Sequence, residues 1–272
     1  MDIELNFMGV CVEDWRTSYR FYTEILGMHA ELDPDLGTWA SLGGGWDAYR
    51  AGSRSMIVEL FDGGRSSAGG GRAWGHKQGI RPGIQVDDLE AVVVAARARG
   101  VPFTGEIEET DWGRRIEFTA PEGIRWTLSH VPERPSGPDL FKPHIGHVEI
   151  KARDLEEQMA FYRDVMGMHL ESENQTQVIL GQGANKPWLT LESGGEKQIN
   201  DPAWASDPAL GHPIFISFMT SDIRDVAARL REANVTMLKD IEPHADWGGT
   251  DLIIADVDGN ALQIVQYETQ IG

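Results

Sequence analysis

The segment His147 to Met168, HVEIKARDLEEQMAFYRDVMGM, repeats the plan of Phe7 to Met28, FMGVCVEDWRTSYRFYTEILGM. Asp14 and Asp154, Phe21 and Phe161, Tyr22 and Tyr162, and the closing Gly-Met pairs fall in register. A duplication of this length constrains the fold strongly, because both copies must bury the same face in equivalent surroundings. In each copy an alternating run reads as a strand, the Asp caps an amphipathic helix, and Gly27 or Gly167 supplies a left-handed stop.

After the first helix, three short strands are expected near 29–32, 38–42 and 55–61, with SLGGG and DGG as turn signals, giving one βαβββ unit. A second unit follows: strand 80–86, a helix after Asp88 ending at Gly100, then strands at 101–107, 114–119 and 124–130. The third runs from His144 to about Ser193, and the fourth opens at 213–220 with a helix after Asp222. DWGRRIEFTAPEG at 111–123 pairs with DWGGTDLIIADVDG at 246–259, so the units alternate in an ABAB pattern. The proline-rich stretch 132–143 suits neither a helix interior nor a central strand, and it marks a boundary midway along the chain. The expected organisation is therefore α+β: residues 1–131 as one domain of two modules, 132–143 as linker, and 144–272 as a second domain of two modules. Gly63 to His76 and Gly194 to His212 are candidate lids over whatever the domains enclose.

Charge narrows the partners. Lys and Arg total 24 against 43 Asp and Glu, a net −19, which repels nucleic acid and anionic membrane surfaces. A lone cysteine, Cys11, permits no intrachain disulfide and fits a reduced, cytoplasmic setting. MDIELNFM lacks the basic start and apolar core of a secretion signal, and no apolar run is long enough to span a bilayer.

The repeated DLEEQMAFYRDVMGM pattern and the late WGGTDLIIADVDGNALQIV resemble the vicinal oxygen chelate superfamily, which includes glyoxalase I, extradiol dioxygenases, methylmalonyl-CoA epimerase and bleomycin resistance proteins. The resemblance covers nearly the whole chain. It implies two domains, each made of two βαβββ modules that curl a mixed sheet around a cavity, with metal ligands on the first and last strands of the modules.

Carried over residue by residue, the resemblance puts His147 at the first-strand ligand position of the third unit, with Phe7, Arg81 and Phe215 as its counterparts. The last-strand position falls on Gln263 and Thr127, and the inner-strand Glu position on Glu59 and Thr190. Grouped by domain, the sets are Phe7, Glu59, Arg81 and Thr127, then His147, Thr190, Phe215 and Gln263. Pairing the first unit with the fourth and the second with the third gives Phe7, Glu59, Phe215 and Gln263, or Arg81, Thr127, His147 and Thr190. No pairing supplies the usual three or four ligands. Glu59 beside Arg81 reads either as a buried ion pair or as a substrate clamp. Trp39, Trp46, Trp74, Trp112, Trp126, Trp188, Trp204 and Trp247 lie on or beside strands expected to border the cavities.

Two functions remain. One is metal-free binding of an aromatic or apolar small molecule in the cavity of the second domain, in the manner of a bleomycin resistance protein, around His147 and Gln263, with Thr190, Phe215, Trp188, Glu59 and Arg81 as further candidate ligand-binding residues. The other is a dioxygenase, glyoxalase or epimerase in which Fe, Mn, Zn or Ni is held by His147, Gln263 and His212. The expected partner is a small-molecule ligand or substrate, with no nucleic acid and no membrane, and the resemblance leaves room for a homodimer.

Overall fold

In the computed structural model the described residues are 3–12, 14–32, 39–42, 56–62, 79–132, 143–183, 186–196, 214–245 and 248–267. The first unit supplies β1 (Ile3–Val12), α1 (Trp15–Arg20), β2 (Ala30–Leu32), β3 (Trp39–Leu42) and β4 (Ile57–Asp62). The second supplies β5 (Ile80–Gln85), α2 (Leu89–Ala98), β6 (Phe103–Thr110), β7 (Gly113–Thr119) and β8 (Arg125–His130). The third contains β9 (His144–Ala152), α3 (Leu155–Ala160), β10 (His169–Glu173), β11 (Gln177–Gly181) and β12 (Trp188–Ser193). The fourth contains β13 (Ile214–Thr220), α4 (Ile223–Glu232), β14 (Thr236–His244), β15 (Gly249–Ala255) and β16 (Ala261–Tyr267). All four repeat the βαβββ order. The candidate lids lie outside the described residues apart from 194–196, as does most of the proline-rich stretch.

Each helix starts on the Asp that the repeat marked. Asp14 accepts the Arg16 N–H at 3.1 Å, Asp88 that of Ala91 at 2.9 Å, Asp154 that of Glu157 at 3.1 Å, and Asp222 that of Asp225 at 3.0 Å. The longer helices then depart from expectation. α1 and α3 each run on into a π-helical turn, Phe21–Ile25 and Phe161–Val165. A regular helix sets neighbouring side chains about 100° apart; the wider turn lets Phe21 and Tyr22, and likewise Phe161 and Tyr162, all reach the core.

The sheets are eight-stranded, mixed and curled. The first sheet has the order β14-β15-β16-β13-β1-β4-β3-β2 and the second β10-β11-β12-β9-β5-β8-β7-β6. Units one and four therefore share a sheet, as do two and three, which corrects the expectation that each half of the chain closes its own sheet and cavity. Cross-strand pairing supplies the physical reason. In the β5–β9 register Arg81 stands opposite Glu149, and in the β1–β13 register Gly9 stands opposite Phe215. Closing each half on itself would exchange the partners, leaving buried Arg81 facing Gly9 and buried Glu149 facing Phe215, with neither charge matched.

The helices tie each half together across the two sheets. The Tyr22 ring lies 4.9 Å from Trp126 on β8, and the Tyr22 hydroxyl donates to Glu122, which also accepts from Ser18 Oγ at 3.0 Å. In the other half, the Tyr162 hydroxyl donates to Asp256 at 3.0 Å and the Gln158 amide donates to the same carboxylate. One apolar core between the sheets takes in the helices of all four units. No helix among the described residues is long and apolar enough to cross a membrane.

Asp256 is a buried carboxylate whose group burial pushes up to about 6, although Asn260, Gln158 and Tyr162 all donate to it. A folded pKa above the unfolded value of about 3.9 means that its contribution is fully present at low pH and declines as pH rises through 6. Urea unfolding should lose on the order of 2–3 kcal/mol from this group between about pH 4 and 6. Asp256→Asn should flatten that slope, and an unchanged slope would show that the group does not titrate in this range.

Candidate functional site

On each sheet the face turned away from the helices collects the ligand positions of two units, and the two faces differ in chemistry. On the first sheet, Phe7 (β1), Phe215 (β13), Ile57 (β4), Ile253 (β15), Ala261 and Val265 (β16) form an apolar cluster separate from the main core. Phe7 and Phe215 meet edge to face at 6.1 Å between centroids, an arrangement contributing about 0.5–1.5 kcal/mol beyond burial. The Phe215 ring crosses β1 over Gly9: a Cβ there would lie 2.1 Å from the ring carbons, so only glycine permits this placement. Gln263 stands beside the cluster, donating from Nε2 to Asp251 Oδ2 at 2.7 Å. Asp251 Oδ1 accepts from His244 Nε2 at 2.9 Å and lies 3.4 Å from Lys239 Nζ. Glu59, on β4 opposite Gly9, is half-buried.

On the second sheet the same face is built of charge. Arg81 (β5), 2% exposed, has Nη2 3.0 Å from Glu192, Nε 3.8 Å from Glu149, and a close contact with Glu117. Arg115 (β7) joins Glu149 at 3.2 Å and also contacts Glu192. Burial acts to raise the Glu149 carboxyl, but the His147 hydrogen bond with the Arg81 and Arg115 charges more than offsets it and brings the group to about 2. His147, wholly buried, meets Glu149 Oε1 through Nε2 at 3.2 Å. Its ring stacks on Trp188 at 4.7 Å and 15°, meets the edge of Trp112 at 5.3 Å, and lies over Gly83. A cavity of about 370 Å³ opens beside Arg115, Lys151 and Glu192, with Glu108 and Asp111 in its wall.

Both faces carry the topology of a known family. The model of the Glyoxalase/Bleomycin resistance protein/Dioxygenase superfamily matches residues 4–128 and 144–264. The chain belongs to that superfamily. Glyoxalase I from Zea mays is similar in structure, at 18% identity and TM-score 0.69, over 97% of this chain and 92% of that one. A Bacillus subtilis protein provisionally described as a dioxygenase is similar at 13% identity and TM-score 0.68, over 98% of this chain and 86% of that one. These likenesses show the fold. No curated protein sequence matches the chain.

The superfamily resemblance implies a divalent metal, and the described residues of neither face fit one. On the first sheet two of the four ligand positions are phenyl rings with no lone pair to give. On the second, Arg81 holds one position as a buried guanidinium, Thr127 and Thr190 offer neutral hydroxyls, and His147 Nε2 is committed to Glu149. A divalent ion there would lie against a fixed positive charge. Among the described residues no group of three or more His, Cys, Asp or Glu is arranged to hold a metal.

Several expected partners are separated. His147, Thr190, Trp188 and Arg81 share the second sheet, whereas Gln263, Phe215 and Glu59 share the first. The pair His147 and Gln263 is therefore not assembled, and Glu59 does not share a sheet with Arg81, because the sheets form across the halves. His212 lies outside the described residues, as do Trp46, Trp74, Trp204, Trp247 and the Trp39 side chain. Trp112 and Trp188 lie against His147 on the second face, while Trp126 is fully buried in the main core against Tyr22. No family position singles out Glu149, Glu192, Arg115 and Glu117, nor Asp251 behind Gln263. Period-two alternation marks two of them, since Glu149 and Glu192 each stand two residues beyond an assigned position, His147 and Thr190.

Removing Arg81 strips the buried carboxylates of their central counter-charge. Arg81→Met should cost about 3–5 kcal/mol in urea unfolding at pH 7. Because the folded pKa of Glu149 is depressed, its contribution is present above about pH 4.3 and is lost as pH falls toward 2. The penalty of the substitution should therefore shrink in acid, and a penalty of the same size at pH 3 would overturn this assignment.

Proposed function

We propose that this chain is a small-molecule-binding member of the superfamily that works without a metal, holding an aromatic or apolar ligand against the Phe7–Phe215 face of the first sheet, in the manner of a bleomycin resistance protein. The carrying observation is the edge-to-face pair of Phe7 and Phe215 at positions where the resemblance puts metal ligands. Two rings in place of two donors turn a polarising site into an apolar wall, and apolar walls with few polar groups are what small-molecule sites are made of. Gln263 supplies the polar element beside them. The net charge of −19 disfavours anionic ligands at long range. The metal-dependent alternative needs His147 and Gln263 in one coordination shell, and they stand on different sheets.

The test is thermal and calorimetric screening of the purified chain against small aromatic and aliphatic compounds, in parallel with Fe(II), Mn(II), Zn(II) and Ni(II). An aromatic compound should raise the melting temperature, by about 2.7 kcal/mol of stabilisation at a hundredfold excess over Kd. Phe215→Ala should weaken that binding at least about tenfold, a loss of ~1.4 kcal/mol. Stoichiometric metal stabilising the fold while no aromatic or aliphatic compound does so would sink the proposal.

A further inference from the structure

Two adjacent buried oxygen atoms on the face of the first sheet have no partner among the described residues. Gln263 is 9% exposed and Ser217 is fully buried, and neither Gln263 Oε1 nor Ser217 Oγ has a hydrogen-bond partner among the described residues. They are adjacent, since Ser217 stands opposite Gln263 across β13 and β16 and opposite Phe7 across β1 and β13. Leaving a buried polar atom unanswered is costly, so two side by side on one apolar wall favour an occupant that satisfies them.

The Gln263 amide cannot turn round. Its Nε2 donates to Asp251 Oδ2 at 2.7 Å, and a reversed amide would set its carbonyl oxygen against a carboxylate that has only acceptors. His244 and Lys239 hold that carboxylate from its other oxygen. Gln263 therefore presents an acceptor to the Phe7–Phe215 wall, while the Ser217 hydroxyl can donate or accept. Phe7, Phe215, Ile57 and Ile253 surround the two oxygens with apolar surface.

We infer that this face takes a neutral aromatic molecule bearing a hydroxyl group, a phenol-type ligand. Its O–H donates to Gln263 Oε1, its oxygen accepts from Ser217 Oγ, and its ring lies against Phe7 and Phe215. The inference rests on the reading that an aromatic ligand occupies this face, and it narrows that reading to a ligand class. A carboxylate is disfavoured, because its charge would meet the Gln263 carbonyl oxygen with Asp251 behind it. A hydrocarbon of the same shape leaves both oxygens unanswered.

Isothermal titration at pH 7 with 4-propylphenol, propylbenzene and 4-propylbenzoate tests this. The phenol should bind about tenfold or more tightly than the hydrocarbon, the worth of one net hydrogen bond, with the benzoate weakest. Gln263→Leu should erase the preference for the phenol while keeping affinity for propylbenzene. Ser217→Ala, a smaller change, should reduce the preference without removing it. Equal binding of phenol and hydrocarbon to the wild-type chain would overturn the phenol assignment and leave aromatic binding standing. Binding of none of the three would overturn both, and tightest binding of the benzoate would reverse the assigned polarity of the site.

Discussion

The pairing of Arg81 with Glu149 across β5 and β9 decides how this chain closes. Both side chains are buried, and a buried charge without a partner costs several kcal/mol. The fold therefore brings the second unit to the third, and the first unit is left to find the fourth, where Phe215 lies across Gly9. The outcome is a chain in which sheets join the halves and helices hold each half together. Glu122 and Asp256, accepting from Tyr22 and Tyr162, are the polar fasteners of the helical layer. Unfolding one half alone would break both sheets at once, so the two halves are bound to behave as one cooperative body.

One duplicated plan has produced two faces of opposite character, and the metal resemblance explains why. A metal site gathers negative or neutral donors around a positive centre. If the ion is dispensed with, as proposed, a site can either remove the donors or supply another cation. The first sheet follows the former course with Phe7 and Phe215. The second follows the latter, placing the Arg81 guanidinium among Glu117, Glu149 and Glu192. Arginine suits this role because its planar fork makes several charge-assisted contacts at once and its charge persists at any ordinary pH.

The order of elements was legible because every local signal agreed: Asp14, Asp88, Asp154 and Asp222 all cap as expected, and Gly27 and Gly167 take positive φ. The π-helical turns were not, since they answer to the need to seat Phe21 and Tyr22 together in a core that forms only in the fold. Strand partnership was hidden for a similar reason. Four copies of one motif give no pattern that says which copy pairs with which; the complementary charges of Arg81 and Glu149, and the room Gly9 leaves for Phe215, distinguish the alternatives. Gln263 was found through the resemblance, but its orientation was not, because Asp251 reaches it from a neighbouring strand, twelve positions earlier in the chain.

Electrostatics sets the two faces apart in what they admit. Around Arg81 and Arg115, together with Lys151, three cations stand against the carboxylates of Glu108, Glu117, Glu149 and Glu192, and these charges already answer one another. A ligand entering there must break ion pairs whose formation has already overcome a desolvation penalty. The first face presents an apolar wall instead, with the Asp251, His244 and Lys239 cluster set behind Gln263. That wall favours apolar surface, and Gln263 Oε1 and Ser217 Oγ, without partners among the described residues, would be answered by a polar group of the right sign. The ion pairs of the charged face therefore hold the fold, and under the proposed reading the apolar face holds the guest.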